Sequence, residues 1–269
     1  MDIVTLVATD LDGTLLNENK EVSSVNRDAI LKLKDKGILF GIASGRPIET
    51  VRAELKKWNI EANVSFILGM NGGAFYDLRQ HIKEDFYVLE GSVIIDIIHF
   101  FKDLEVDFWV LEGSVRYTNS SRPETKAHAD LFGETEIEID LEEYLEKHTA
   151  NKLIIHCDSD YMPVVLDRAK SYKNDACVGF LSANNLLEYV DPRINKGFGI
   201  EKVAKHFGVR LENCVAFGDA QNDREMLQKV GFGVCMKNGA DDVKSVSDYV
   251  TERTNEESAF GYFLLENVL

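Results

Sequence analysis

Residues 3–9, "ILFGIAS" at 38–44 and "VSFILGM" at 64–70 are apolar runs without regular polar alternation, and amphipathic stretches separate them. A strand with one wet face alternates apolar and polar residues, whereas an unbroken apolar strand is buried on both faces. Such strands need cover on both sides. Residues 24–36 have helical periodicity, with a serine cap before them and Gly37 after, and "PIETVRAELKKW" places Pro47 near a first helical turn. The last third repeats the rhythm with helix "GFGIEKVAKHFG", strand "CVAFGD", helix "DREMLQKVG" and strand "FGVCM". A short helix, "DYVT" and a terminal helix follow. This alternation predicts a parallel sheet covered by helices.

The middle third breaks the pattern. It reads as helix 92–103, adjacent strands "VDFWVLEG" and "SVRYT", and helical pieces around 122–131 and 140–148. Strand "KLIIHC", helix 160–172, and strands "CVGFLS" and "LLEYV" complete it. Adjacent strands between helices predict antiparallel pairing, with the helices on one face. The expected organisation is a discontinuous first domain, 1–83 with 190–269, and an inserted second domain at 84–189.

Composition narrows the partners. Thirty Lys+Arg against 46 Asp+Glu leave a formal net charge of −16, a field that repels nucleic acid and anionic lipid. It also repels phosphorylated metabolites, so a site for them needs a local cation. The four cysteines (Cys157, Cys177, Cys214, Cys235) have no CxxC spacing and are expected to be buried reduced thiols. The histidines are scattered without a metal-ligand spacing. No basic leader precedes the first apolar run, and "SVIIDIIHFF" carries Asp96 and His99, so a cytoplasmic protein without a membrane segment is expected.

In parallel α/β sheets, ligands bind at the carboxyl ends of the strands. The first strand ends on "DLDGT", where Asp10 and Asp12 stand beside a hydrophobic core at a cost in free energy unless they have a partner or a task. A calcium loop is excluded, because its sixth position needs glycine and is Leu15 here. The second strand ends on Ser44, Gly45 and Arg46, the third on Asn71 in "NGG". Lys196 opens a late helix, and "CVAFGD" ends on Asp219, with Asn222 and Asp223 behind it. Alone, Ser44 is a helix cap, Lys196 a surface lysine, Asp219 to Asp223 a capping sequence and Asn71 a turn residue. Their coincidence at strand ends favours one phosphate site. Asp10 and Asp219 can ligate magnesium, a carboxylate can attack phosphorus, and Lys196 supplies the missing cation. Ser44 can donate to phosphate oxygens, and Asp12 can move protons in both half-reactions.

"DLDGT", "ASGR", Lys196 and "GDAQND" resemble, in order, the four motifs of the haloacid dehalogenase-like phosphatases, and the large insertion resembles that of the Cof-type subfamily. The resemblance spans essentially the whole chain. It implies an α/β fold, with a Rossmann-like parallel-sheet core and an inserted α+β cap domain that closes over the site and selects substrates. It implies that Asp10 is nucleophile and metal ligand, and that Asp12 is general acid/base and binds the metal through its carbonyl. Leu11, Ser44, Gly45, Lys196 and Asn222 match phosphate-binding positions, with Arg46 and Asn71 as candidate substrate contacts. Asp219 matches the metal carboxylate, and Asp223 supports the metal shell. Two departures stand out: Ala220 where glycine is usual, and "MKNG" at 236–239 where "MGNA" is common.

The expected function is a Mg2+-dependent phosphatase of small phosphorylated metabolites, sugar phosphates or similar monoesters, acting through phospho-Asp10. A phosphosugar mutase of the same fold and a non-enzymatic binding protein with a relic site are the alternatives.

Overall fold

The computed structural model describes residues 3–269. The chain forms two compact units, Met1–Glu84 with Asn195–Leu269, and Asp85–Ile194. Along the first segment come β1 (Leu6–Thr9), α1 (Ser24–Asp35), β2 (Leu39–Ala43), α2 (Ile48–Lys57), β3 (Phe66–Gly69), β4 (Ala74–Asp77) and β5 (Ile82–Asp85). The insertion contributes α3 (Gly91–Phe101), β6 (Asp107–Glu112), β7 (Val115–Thr118), α4 (Pro123–Leu131), β8 (Thr135–Glu138) and α5 (Leu141–Leu145). It continues with β9 (Lys152–His156), α6 (Met162–Ala169), β10 (Val178–Ala183) and β11 (Leu186–Val190). Then follow α7 (Lys196–Phe207), β12 (Cys214–Gly218), α8 (Arg224–Lys229), β13 (Phe232–Cys235), α9 (Asp241–Lys244), β14 (Tyr249–Val250) and α10 (Ala259–Asn267).

The first unit is an α/β core whose strands run β14-β13-β12-β1-β2-β3-β4-β5, parallel from β14 through β3, with β4 antiparallel to β3. Successive strand residues point to opposite faces. Phe40 meets Phe260 of α10, whereas Phe66, in register with Gly41, meets Phe207 of α7, each pair of rings 5.9 Å apart. Helices therefore cover both faces, which is why β1, β2 and β12 are buried and unbroken in their hydrophobicity. β4 and β5 escape the sequence reading. β5 is "IKED", exposed throughout, and its charges blunt the sheet edge rather than mark a strand.

The second unit is a six-stranded sheet, β10-β11-β9-β6-β7-β8, antiparallel except where β8 joins β7. Phe108, Val110, Leu153, Ile155, Leu187 and Tyr189 recur at period two and pack with Ile94, Leu145 and Val165 of α3, α5 and α6. The expectation that all helices share one face is corrected by α4. Its His128 lies 3.1 Å from Arg116 and 5.3 Å, ring to ring, from Trp109, both on the opposite face of the sheet. That face carries ions in pairs, Lys152 with Glu188 at 3.0 Å and Arg116 with Glu134, which explains why its strands lack a clean apolar pattern. β8, "TEIE", is mostly exposed and was invisible for the same reason.

A buried acid ties α7 to the sheet. Asp77 at the end of β4 accepts the amides of Arg79 (2.7 Å) and Gln80 (3.1 Å), and its other oxygen lies 2.8 Å from His206 Nε2 on α7. Burial raises its pKa, but the His206 bond and the two amides outweigh burial and hold it below the ordinary carboxylate value. A depressed folded pKa gives stability that is present above about pH 4 and is lost as the pH falls through the folded value. Asp77→Asn should cost about 1–3 kcal/mol at neutral pH. Urea unfolding followed against pH should show the gap to wild type narrowing below about pH 4; equal stability at pH 7 would contradict the assignment.

Candidate active site

Strand order reverses at β1: the chain moves outward through β2 and β3 on one side and through β12 and β13 on the other. The carboxyl ends of β1, β2 and β12 therefore flank the crevice in which such sheets bind ligands. Asp10 extends β1 by one rung, its amide donating to Phe217 O of β12 at 3.0 Å. The turn that follows brings Gly13 against the neighbouring strand end. Its φ is +82°, and a Cβ there would lie 2.4 Å from Asp219 Oδ2, so only glycine fits. Thr14 Oγ donates to Asp219 Oδ1 at 2.7 Å, and Asn238 Nδ2 donates to Gly13 O at 2.7 Å.

Lys196 is the first residue of α7, set there by Asn195, whose side chain accepts the Phe198 amide at 2.8 Å. Its side chain is fully buried, and Nζ donates to Asp10 Oδ1 and to Asp223 Oδ1, both at 2.6 Å. The second oxygen of Asp223 accepts the amides of Asp219 and Ala220, each at 3.0 Å. Ala220 thus contributes a backbone amide, which any residue but proline supplies, and its departure from glycine leaves this bond intact. Burial alone would lower the Lys196 pKa, but Asp10 and Asp223 push it upward. Burial raises Asp10 well above the ordinary carboxylate value, with Asp223, Asp219 and Asp12 adding to it and Lys196 opposing. Asp219 is pushed up to about 6 by burial and by Asp223, with Thr14 and Lys196 opposing.

Ligand atoms of Asp10, Asp219 and Asp223 lie within 4.8 Å of one another. Three carboxylates against one ammonium is an arrangement that a divalent cation would relieve, and all-oxygen donors suit a hard ion. Both oxygens of Asp223 are engaged, whereas Lys196 and Thr14 take one oxygen each of Asp10 and Asp219. Asp10 and Asp219 are thus the carboxylates best able to face a metal.

The loop after β3 joins these strand ends. Met70, Asn71 and Gly72 all have positive φ, +51°, +54° and +97°, a strained run that persists only where its surroundings dictate it. A Cβ on Gly72 would meet Asn195 O at 2.3 Å, so this loop packs directly on the start of α7. Asn71 donates its amide to Ser44 O at 3.0 Å and accepts from Asn222 Nδ2 at 2.9 Å. Ser44 is buried and its Oγ accepts the Arg46 amide at 3.2 Å; a Cβ on Gly45 would lie 3.0 Å from Asn71 Oδ1. Leu11 is buried, its carbonyl accepting the Leu16 amide at 2.9 Å.

Arg46 lies on Asp12: Nε donates to Oδ2 at 2.9 Å and Nη2 to Oδ1 at 2.6 Å. Lys20, which the sequence did not single out, adds Nζ to Oδ1 at 2.7 Å. Burial raises the Asp12 pKa, but Arg46 and Lys20 outweigh it and hold the group below the ordinary value. The backbone amide of Lys237, in the other departure, donates to Thr251 Oγ at 2.9 Å.

The sequence pattern of the haloacid dehalogenase-like hydrolases matches residues 7–264. The chain belongs to this family. It is 28% identical to the 5-amino-6-(5-phospho-D-ribitylamino)uracil phosphatase YitU of Bacillus subtilis, over 97% of this chain and 96% of that one. It is also 28% identical to an HMP-PP phosphatase of Klebsiella pneumoniae, over 89% of this chain and 86% of that one. A crystal structure of a haloacid dehalogenase-like hydrolase from Bacteroides thetaiotaomicron superposes with a TM-score of 0.87 at 26% identity, over 98% of this chain and 99% of that one. The Cof-type resemblance read from the motifs and the fold class stand.

The ammonium between Asp10 and Asp223 makes a direct prediction. Lys196→Met leaves two buried carboxylates without their cation and should cost about 3–5 kcal/mol of stability. Calorimetry should record a fall in Tm of several degrees, and an unchanged Tm would show that the buried pair contributes nothing.

Proposed function

We propose that the chain is a magnesium-dependent phosphatase of small phosphorylated metabolites, in which Asp10 is transiently phosphorylated. The observation that carries this reading is one buried ammonium, Lys196, touching both the carboxylate after β1 and a carboxylate after β12, beside a third carboxylate close to both. Lys196 offsets the charge of Asp10 and holds its Oδ1 in place. In the first half-reaction Asp10 forms the bond to phosphorus while the ester oxygen leaves with a proton from Asp12. In the second, water gives a proton to Asp12 and its oxygen to phosphorus, which releases Asp10. Bound Mg2+, held by Asp10, Asp219 and the Asp12 carbonyl with Asp223 bracing Asp219, would offset charge on the phosphoryl oxygens. Leu11, Ser44, Gly45 and Asn222 fall to the phosphate in this reading. Asn71 orients Asn222 and the loop holding Ser44.

The two relatives named above carry the names of chemically different phosphorylated compounds, which supports a small-metabolite phosphatase and leaves the leaving group to the chain's own selectivity. Sugar phosphates and similar monoesters are the proposed class. The acidic surface argues against nucleic acid, and among the described residues no helix is long and apolar enough to cross a membrane. All four cysteines are free, with Cys157, Cys214 and Cys235 buried and Cys177, against expectation, only partly so. Free thiols are in keeping with a cytoplasmic setting. Residues 84–189 would act as the substrate-selecting cap.

Hydrolysis of an aryl phosphate should stop on chelation and return with added Mg2+. Asp10→Asn should abolish turnover with an unchanged circular dichroism spectrum, and Asp219→Ala should raise the Mg2+ concentration needed for half-maximal rate. A full rate in metal-free protein, or turnover by Asp10→Asn, would refute the reading.

A further inference from the structure

Asp12 is held from two directions by parts of the chain that share no motif. Arg46 arrives from the loop after β2 and grips both oxygens, Nε on Oδ2 at 2.9 Å and Nη2 on Oδ1 at 2.6 Å. Lys20 arrives from the polar stretch "NENK", which at first sight is no more than a solvated loop. That loop is closed by the Lys20 amide donating to Asn17 O at 2.9 Å, and it turns at Lys20 itself, whose φ is +60°. An isolated Asp12↔Leu16 bridge and a Leu16↔Val22 bridge hold its two ends against the β1 turn. Trp58, buried at the end of α2, fixes its tip by donating Nε1 to Lys20 O at 2.9 Å. A left-handed residue, two bridges and a buried indole together aim one ammonium at Asp12 Oδ1, 2.7 Å away.

We propose that Lys20 is a positioning residue: with Arg46 it sets the orientation in which Asp12 exchanges protons with the leaving oxygen and with water. The inference rests on the acid/base role given to Asp12 above. An ionised carboxylate offers about four lone-pair positions. Three donors occupy three of them, two on Oδ1 and one on Oδ2, so the proton that Asp12 gives to the leaving oxygen and takes back from water is carried at the remaining position, on Oδ2. Arg46 alone would leave one position on each oxygen. Lys20 removes that ambiguity, and proton transfer is sensitive to errors of this size because reacting atoms must sit within hydrogen-bond reach. A partly exposed ion pair contributes little to stability, and the Lys20 and Asp12 side chains are each 38% exposed. The effect should therefore fall on the reaction and not on the fold.

The test compares two substrates of the Mg2+-loaded enzyme. An aryl phosphate has a good leaving group, so its kcat/KM hardly needs an acid, whereas an alkyl phosphate needs one. Lys20→Met should lower kcat/KM about tenfold on the alkyl phosphate and less than about twofold on the aryl phosphate. Lys20→Arg, which keeps the cation, should restore the ratio of the two. Trp58→Phe, which loosens the loop tip but keeps Lys20, should leave the ratio nearer to wild type than Lys20→Met does. Equal losses on both substrates, failure of Lys20→Arg to restore the ratio, or a Trp58→Phe variant that reproduces Lys20→Met would overturn the proposal and leave only a structural loop contact. Asp12→Asn separates the two levels of inference. If it loses activity while Lys20→Met behaves as wild type, the positioning role fails alone; if Asp12→Asn is as active as wild type, the acid/base reading fails with it.

Discussion

A lysine ammonium with no exposure to water, 2.6 Å from each of two carboxylates, is the contact around which the first unit is arranged. Burying one charge without partners is prohibitive, and burying three is tolerable only if geometry and further hydrogen bonds compensate. Here they do. Asp223 spends its second oxygen on the amides of Asp219 and Ala220, which fixes the turn after β12, and that turn presents Asp219 to Thr14 and Gly13. The ammonium thereby links the start of α7, the end of β1 and the turn after β12. One ammonium does not balance the three carboxylates of Asp10, Asp219 and Asp223. An acidic protein thus concentrates, at one strand-end crevice, a demand for positive charge that a divalent cation would meet.

The core was legible where burial is two-sided. β1, β2, β3 and β12 announce themselves because no water-facing position interrupts them, and their polar ends mark the crevice without knowledge of any contact. Two charged edge strands were not legible. β5 and β8 read as charged loops, and the face of the second sheet bearing Lys152, Glu188 and Arg116 gives no alternation to follow. The sequence gives no sign that Asn71, in its glycine-rich turn, accepts a hydrogen bond from an asparagine 151 positions away. Lys20 is the sharpest case. Its aim at Asp12 is set by a left-handed φ and by an indole from α2, and neither leaves a trace in the local sequence.

Backbone strain is distributed unevenly through the first unit. The three consecutive positive φ values at Met70–Gly72 occur where the loop must satisfy Ser44, Asn222 and the start of α7 together. Left-handed backbone at a residue other than glycine costs of order 1–3 kcal/mol and is retained only when surrounding contacts over-determine it. Gly72 avoids that cost, and it also permits an approach that any Cβ would block. Met70 and Asn71 bear it, beside the polar strand ends and not at a distant surface turn.

β1 pairs on one side with β2 and on the other with β12, so that Leu6 is in register with both Leu39 and Cys214. Lengthening a loop costs only about 0.6 kcal/mol per doubling, so a whole folded unit can sit between these partners at little thermodynamic expense. The consequence is temporal. At roughly 5–20 residues per second, synthesis separates β1 from β12 by tens of seconds. Throughout that interval the nascent chain carries Asp10 without its ammonium and β1 with one bare edge. Such a chain has an unpaired carboxylate at the end of β1 and offers an open strand to its neighbours. The partner for Asp10 and protection of the central strand therefore arrive together, when α7 and β12 dock.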